Sequence, residues 1–149
     1  MALKKVKRKA VSQNPKVMLL YGAPKVGKTT ALSQLEDCLI IDTEQGASMV
    51  DGYIEEANNR EELIAILKEA SDGHEYKYVA IDTIDKIADW AEKSVCAEEG
   101  VTAIADLAYG KGFALVREKV LNTIKHMKAI FPHVIVIGPK KWARAVVDS

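Results

Sequence analysis

A glycine-rich turn between two apolar segments constrains the fold of this chain more than any other feature. The sequence LLYGAPKVGKTTAL, residues 19–32, follows a short apolar run and leads into small and apolar residues at helical spacing. It matches the pattern Gly-x4-Gly-Lys-Thr from Gly22 to Thr29. A strand, a glycine-rich turn and a helix in this order are typical of a phosphate-binding loop, the Walker A motif. The segment therefore predicts an α/β core that binds a nucleotide.

The residue types of this loop suit a chain of phosphates. Glycines let successive backbone N–H groups point inward at an anion, and the start of the following helix reinforces the site. Lys28 can reach the β- and γ-phosphates, the Thr29 hydroxyl can ligate Mg²⁺, and Thr30 is placed for the α-phosphate. The predicted nucleotide-binding residues are contiguous: Gly22, Ala23, Pro24, Lys25, Val26, Gly27, Lys28, Thr29 and Thr30.

The rest of the chain alternates strand patterns with helix patterns. Apolar runs predict strands at 16–21, 38–42, 76–82 and 133–138. Helical spacing predicts helices from Thr29 to about Glu36, from Asn59 to about Ser71, from Ile84 to Gly100 and from Phe113 to Phe131, with loops at 43–53 and 101–112. Because the strands are apolar nearly throughout, we expect a three-layer α/β core with a mostly parallel sheet and helices on both faces.

Several side chains are expected to face this core. The helical patterns place Ile64 and Phe113 on apolar faces, and both cysteines, Cys38 and Cys96, are expected to be small buried hydrophobic residues. A chain of 149 residues suits one domain, so we expect a basic, flexible tail at 1–14 and a single core at 15–149.

The charge balance excludes a strongly basic or acidic protein. The chain has 21 basic and 21 acidic residues, so its overall field favours neither nucleic acid nor membrane. Only the tail is basic, and it is either solvated or an arm that touches nucleic-acid phosphates. Two cysteines and no apolar stretch long enough to cross a bilayer lead us to expect a cytoplasmic protein.

Carboxylates follow two of the predicted strands. Asp82 ends the run YVAID, which has the Walker B form, and Asp42 and Glu44 follow the run CLII. Because the carboxyl ends of parallel strands share one edge of a sheet, these side chains should meet the Walker A loop there. Asp82 could then bind Mg²⁺ together with Thr29, and Glu44 could orient or deprotonate a water that attacks the γ-phosphate. An exposed loop glutamate and a strand-capping aspartate are the alternatives, and Asp42 is expected to support the site.

A second candidate site lies in the sequence AYGKGFALVREK, residues 108–119. Tyr109 could stack on a base and Lys111 could meet a phosphate, a combination that suits single-stranded nucleic acid. A flexible surface loop at the start of an ordinary helix explains the same residues equally well.

Taken in order, YGAPKVGKTT, LIIDTEQG, YVAIDTIDKI, YGKGFALVR and a final apolar strand resemble phage-encoded RecA-like ATP-binding proteins of the single-strand-annealing type. The resemblance covers about residues 15–138. It implies a RecA-type ATPase that uses ATP and Mg²⁺, binds single-stranded DNA in recombination and forms homo-oligomers. It assigns catalysis to Lys28, Glu44 and Asp82 and a first DNA-contacting loop to Tyr109–Gly112, and it inserts the final strand between the Walker A and Walker B strands.

Two features depart from that pattern. RecA-like cores end the final strand with a glutamine or histidine that senses the γ-phosphate, whereas this chain has Gly138-Pro139, followed by Lys140 and Lys141. Relatives also continue into further strands, so we expect this core to lack the later strands and to leave an open sheet edge beside the Walker A strand. Either a partner chain completes that edge, or the chain is a naturally short or truncated form. A neighbouring subunit is then expected to supply a transition-state cation.

Two other function classes stay open. One is a nucleotide-binding interaction module with little turnover. The other is a nucleotide kinase, because Gly-x-Pro-x-x-Gly-Lys-Thr also opens such enzymes. Kinases typically use a cluster of arginines, whereas Arg60, Arg117 and Arg144 are the only arginines beyond the loop and are widely spaced.

Overall fold

The computed structural model describes residues 16–21, 32, 34–44 and 52–142, with Lys140 described by its backbone alone. These residues form five strands: β1 (Val17–Leu20), β2 (Cys38–Asp42), β3 (Tyr53–Glu56), β4 (Tyr78–Asp82) and β5 (His133–Ile137). They also form three α-helices: α1 (Arg60–Ser71), α2 (Ile84–Glu99) and α3 (Lys111–Ile130). Short 3₁₀ turns lie at Ile104–Asp106, Ala108–Gly110 and Lys140–Trp142.

The five strands form one parallel sheet with the order β1-β5-β4-β2-β3. The α/β class with a mostly parallel sheet is thus confirmed, and so is the insertion of the final strand between β1 and β4. The register aligns Leu20 with Ile137, Ile137 with Asp82, and Asp82 with Asp42. The carboxyl ends of β1, β5, β4 and β2 therefore meet along one edge, which we call the carboxyl rim.

The strand β3 was not predicted. Tyr53 was assigned to a loop, but it begins β3, which pairs with β2 in parallel and forms an edge of the sheet among the described residues. Tyr53, Glu55 and Glu56 are exposed, so the segment lacks the apolar run that marks a central strand. Its backbone pairing with β2 makes it a strand.

The connections between strands determine which face each helix covers. The β3-to-β4 and β4-to-β5 connections progress in one direction across the sheet, and α1, α2 and α3 pack on one face. The β1-to-β2 connection runs the opposite way, so a right-handed crossover puts it on the other face. Leu32 packs there with Cys38 and Ile40. Half of the predicted helix Thr29–Glu36 lies outside the described residues, and residues 34–36 form a turn, so the predicted helix end near Glu36 is wrong.

The helix boundaries follow the sequence signals closely. The Asn59 side chain accepts a hydrogen bond of 2.8 Å from the Glu62 backbone N–H and begins α1. The predicted end near Ser71 is confirmed. Helix α2 ends at Gly100, also as predicted.

Three predicted core positions are wrong. Helix α1 buries a narrow stripe of Leu63, Leu67 and Ala70, and this leaves Ile64 44% exposed. The first turn of α3 packs through Gly112 against Ile104, and Phe113 is 61% exposed. Cys38 is buried as expected, but Cys96 is only partly buried. No helix within the described ranges has the length and apolar character needed to cross a membrane.

Candidate functional site

The strand order creates a crevice at the carboxyl rim. The connection from β1 to β2 and the connection from β4 to β5 run in opposite directions across the sheet, and β5 lies between β1 and β4. Open α/β sheets bind ligands where strand connections diverge in this way. The predicted nucleotide-binding residues follow directly after Tyr21 in the sequence. All of them, Gly22 to Thr30, lie outside the described residues, so the positions of Lys28 and Thr29 stay a prediction.

Asp42 and Asp82 lie side by side at the ends of adjacent strands. Their Cα atoms are register partners. Asp42 is 2% exposed, and its Oδ1 accepts a hydrogen bond of 3.0 Å from the Glu44 backbone N–H. This contact fixes the backbone of Glu44 directly beyond the strand. Asp42 therefore supports the rim, as expected from the sequence.

Thr43 joins the ends of β2 and β4. Its buried hydroxyl donates to the Asp82 carbonyl oxygen at 2.9 Å and accepts from the Thr83 backbone N–H at 2.7 Å. The Thr43 backbone N–H also donates to the Asp82 carbonyl oxygen, at 2.8 Å. The peptide bond between Asp82 and Thr83 is cis. These contacts hold the two strand ends in one fixed arrangement.

Glu44 lies exposed at this same rim. Its Oε1 accepts a hydrogen bond of 3.2 Å from the Thr83 hydroxyl. Beside it is a cavity of about 500 Å³, lined by Thr43, Glu44, Asn58, Lys86 and Trp90. Glu44 and Asp82, two of the three candidate catalytic residues, are thus brought to adjoining strand ends.

Two threonines that no sequence pattern assigned to the site connect these acids. Thr43 and Thr83 lie 40 residues apart, and each directly follows an aspartate that ends a strand. The repeated dipeptide Asp-Thr in IIDT and AIDT is the signal that could have identified them.

The oxygen donors at the rim fit Mg²⁺ bound together with a nucleotide. Asp82 and Glu44 offer carboxylate oxygens, the ligand type that Mg²⁺ prefers. The buried Thr43 hydroxyl and the buried Asp42 carboxylate instead bond to the backbone of the strand ends. Among the described residues, no group of three His, Cys, Asp or Glu could hold an ion alone. Mg²⁺ usually takes one or two carboxylates plus substrate phosphates, which matches a rim of this kind.

Gly138, at the predicted sensor position after β5, lies against the apolar side chain of Ile84. A methyl group added at Gly138 would collide with Cγ2 of Ile84, the first residue of α2. The Lys141 ammonium lies 3.9 Å from the Asp85 carboxylate, and the Lys140 side chain lies outside the described residues. The structure therefore leaves no room for a polar side chain at Gly138 itself.

In the candidate DNA-contacting loop, Tyr109 is exposed to solvent and Lys111 forms an ion pair with Glu99. Tyr109 has a relative exposure of 105% and a left-handed backbone with a φ of 58°. The Lys111 ammonium lies 3.4 Å from Glu99 Oε2 at the end of α2. Nearby, the hydrogen bond that Lys119 donates to Glu98 lowers the pKa of that carboxyl. The acidic end of α2 thus offsets the charge of lysines on α3.

Comparison with known proteins identifies the family. Among curated proteins, none matches this sequence. The profile of a protein family described as an AAA domain matches residues 14–143, most of the chain. The parallel α/β sheet is consistent with the fold of such a domain. The chain belongs to this AAA domain family of P-loop, nucleotide-binding ATPases.

Proposed function

We propose that this protein hydrolyses ATP in a Mg²⁺-dependent reaction at the carboxyl rim. The observation that carries the proposal is the position of Glu44, whose carboxylate lies one hydrogen bond from Thr83, the residue directly after Asp82. A metal-binding acid and a water-orienting acid at adjoining strand ends are the arrangement that hydrolysis of a triphosphate needs. Membership of an ATPase family supports the same activity.

Each residue has a separate task in this mechanism. Lys28 would stabilise negative charge on the γ-phosphate, and Thr29 and Asp82 are the residues that would hold Mg²⁺. Bound Mg²⁺ would neutralise charge on the phosphate oxygens. Glu44 orients the attacking water and accepts its proton, a role that typically contributes about 10²- to 10⁴-fold to a rate.

We further propose that single-stranded DNA stimulates this hydrolysis, in keeping with a recombination role of the annealing type. The full exposure of Tyr109 supports the proposal, because a ring that packs on no core is available to stack on a base. Its left-handed backbone also supports it, since non-glycine residues in that conformation cluster at ligand-binding sites.

A neighbouring copy of the chain would complete the site. Ile84 fills the space beside Gly138, so the end of β5 has no polar side chain at this position that could contact the γ-phosphate. A cation from an adjacent subunit would then stabilise the transition state, as arginine fingers do in other phosphoryl-transfer proteins. The same observation favours one second candidate, a nucleotide-binding interaction module with little turnover.

Phosphate release from ATP, measured with and without single-stranded DNA, tests the hydrolase. We expect the wild type to hydrolyse ATP slowly and DNA to accelerate it. Lys28→Ala should lose nucleotide affinity, because it removes the cation that meets the phosphates. Glu44→Gln should bind ATP and lower kcat by about 10²- to 10⁴-fold.

The controls keep the charge changes but move them away from the rim. Glu69→Gln and Lys68→Ala, both on the exposed side of α1 near its C-terminal end, should behave like the wild type. ATP binding without phosphate release, with DNA or without it, would favour the interaction module. Phosphoryl transfer to nucleoside monophosphates would indicate a kinase instead.

A further inference from the structure

Thr83 occupies a helix-capping position without capping the helix. It is the N-cap residue of α2, with the extended backbone that this position requires, φ −130° and ψ 166°. A threonine at an N-cap usually accepts a hydrogen bond from a backbone N–H in the first turn. The Thr83 side chain makes no such bond. Its hydroxyl donates to Glu44 Oε1 instead, at 3.2 Å.

The backbone that carries this hydroxyl is held firmly. The Thr83 N–H donates to the Thr43 hydroxyl at 2.7 Å, and Thr43 is buried and bonded to the end of β4. Glu44 differs, because its backbone N–H is fixed by Asp42 but its side chain is exposed and has three rotatable bonds. The Thr83 hydroxyl is therefore the contact that restricts where the Glu44 carboxylate points.

We propose that Thr83 is a positioning residue that holds the Glu44 carboxylate at the carboxyl rim in the orientation needed to align the attacking water. The proposal rests on the hydrolase function proposed above. The bond engages Oε1, and Oε2 is the oxygen that accepts a hydrogen bond from the water. Thr83 itself touches neither substrate nor metal in this role.

Removal of the hydroxyl tests the role directly. Thr83→Val keeps the shape and the β-branch but cannot donate to Glu44. Because a hydrogen bond to a charged group is lost, we expect kcat to fall roughly 10- to 100-fold, with the ATP dissociation constant within about two-fold of wild type. Thr83→Ser retains a hydroxyl and should restore kcat to within about three-fold of wild type. Thr102→Val, on an exposed loop, is the matched control.

A second measurement separates positioning from a structural role. If Thr83 acts only through Glu44, Thr83→Val should lower single-turnover hydrolysis no further when Glu44→Gln is already present. The melting temperature of Thr83→Val should also stay close to that of the wild type, because the bond to Glu44 is exposed and no capping bond is lost. Fully additive effects of the two substitutions would overturn the proposal.

The outcomes distinguish this proposal from the function on which it rests. Wild-type protein that binds ATP without hydrolysing it overturns the hydrolase and the positioning role together. Wild-type turnover that Thr83→Val leaves unchanged overturns the positioning role alone. A loss of kcat that Thr83→Ser does not restore also overturns it, since the hydroxyl would then not be the active feature.

Discussion

At the scale of single residues, β2 begins and ends with buried groups of different chemistry. Cys38 lies at its start among apolar residues, and burial raises the pKa of the Cys38 thiol to about 11. Asp42 lies at its end, where its carboxylate accepts a hydrogen bond from the Glu44 N–H. Among the described residues the thiol has only a weak partner, the Leu39 carbonyl oxygen 4.0 Å away, so burial disfavours its ionised form.

Cys38 should make stability fall at alkaline pH. Its pKa is higher in the folded chain, about 11 compared with a usual value of 9.0, so the unfolded chain loses the proton first. The stabilising contribution is therefore complete below pH 9 and is lost as the pH rises through about 11, by up to about 2.7 kcal/mol.

Urea unfolding from pH 8 to pH 11 checks this effect. Cys38→Ala should be less stable than the wild type at pH 8, because it removes a buried sulfur. The difference between the two proteins should narrow as the pH rises. Parallel curves for the two proteins would show that Cys38 does not titrate in this way.

At the scale of secondary-structure elements, the contact between β5 and α2 sets the shape of the rim. Ile84, the first residue of α2, is fully buried and fills the space where a side chain at Gly138 would lie. The Gly138 backbone N–H donates to the Leu20 carbonyl oxygen at 3.2 Å, so β1 is tied to the same point. The close approach of α2 is thus compatible only with glycine at the end of β5.

Gly138→Ala should therefore destabilise the fold. Forcing a methyl group into this contact displaces Ile84 or α2, and overpacking of this kind typically costs about 1–3 kcal/mol. Urea unfolding measures the loss. In a chain that already carries Ile84→Ala, the obstructing atom is gone, and Gly138→Ala should then cost much less. An equal cost in both backgrounds would contradict the contact.

At the scale of the whole molecule, the two candidate sites differ in how they are held. The carboxyl rim is cross-linked by hydrogen bonds between β2 and β4. The loop around Tyr109 is supported by ion pairs between α2 and α3, Glu99 with Lys111 and Glu98 with Lys119. Exposed pairs of this kind stabilise weakly. The loop should therefore tolerate substitution better than the rim.

Tyr109→Ala should weaken single-stranded DNA binding without weakening the fold. The loss of one stacked base costs about 1–3 kcal/mol, which corresponds to roughly 5- to 150-fold in affinity. Because the ring is fully exposed, stability should stay within about 0.5 kcal/mol of the wild type. Fluorescence anisotropy with a labelled oligonucleotide measures the affinity, and Tyr53→Ala on β3 is the matched aromatic control. Equal losses for both variants would argue against a specific role for Tyr109.

Much of the fold was predictable because it depends on local patterns. Apolar runs of strand length, the cap at Asn59 and the stop at Gly100 each act over a few residues. The edge strand β3 was not predictable in this way, because its exposed Tyr53 and glutamates gain strand geometry only from pairing with β2. Exposed Ile64 and Phe113 were missed for a related reason, since a helical pattern does not say how wide the contacting surface is.

The candidate site, like the fold, was predictable only where it depends on short-range patterns. The sequence by itself determined that a phosphate-binding pattern follows the first strand and that Asp82 and Glu44 come after strand-like runs, because both are short-range patterns. Only the tertiary structure decided that Thr43 and Thr83 join these acids and that Ile84 closes the space at Gly138. Those contacts connect residues 39 to 54 positions apart, and strand register and helix packing bring such residues together.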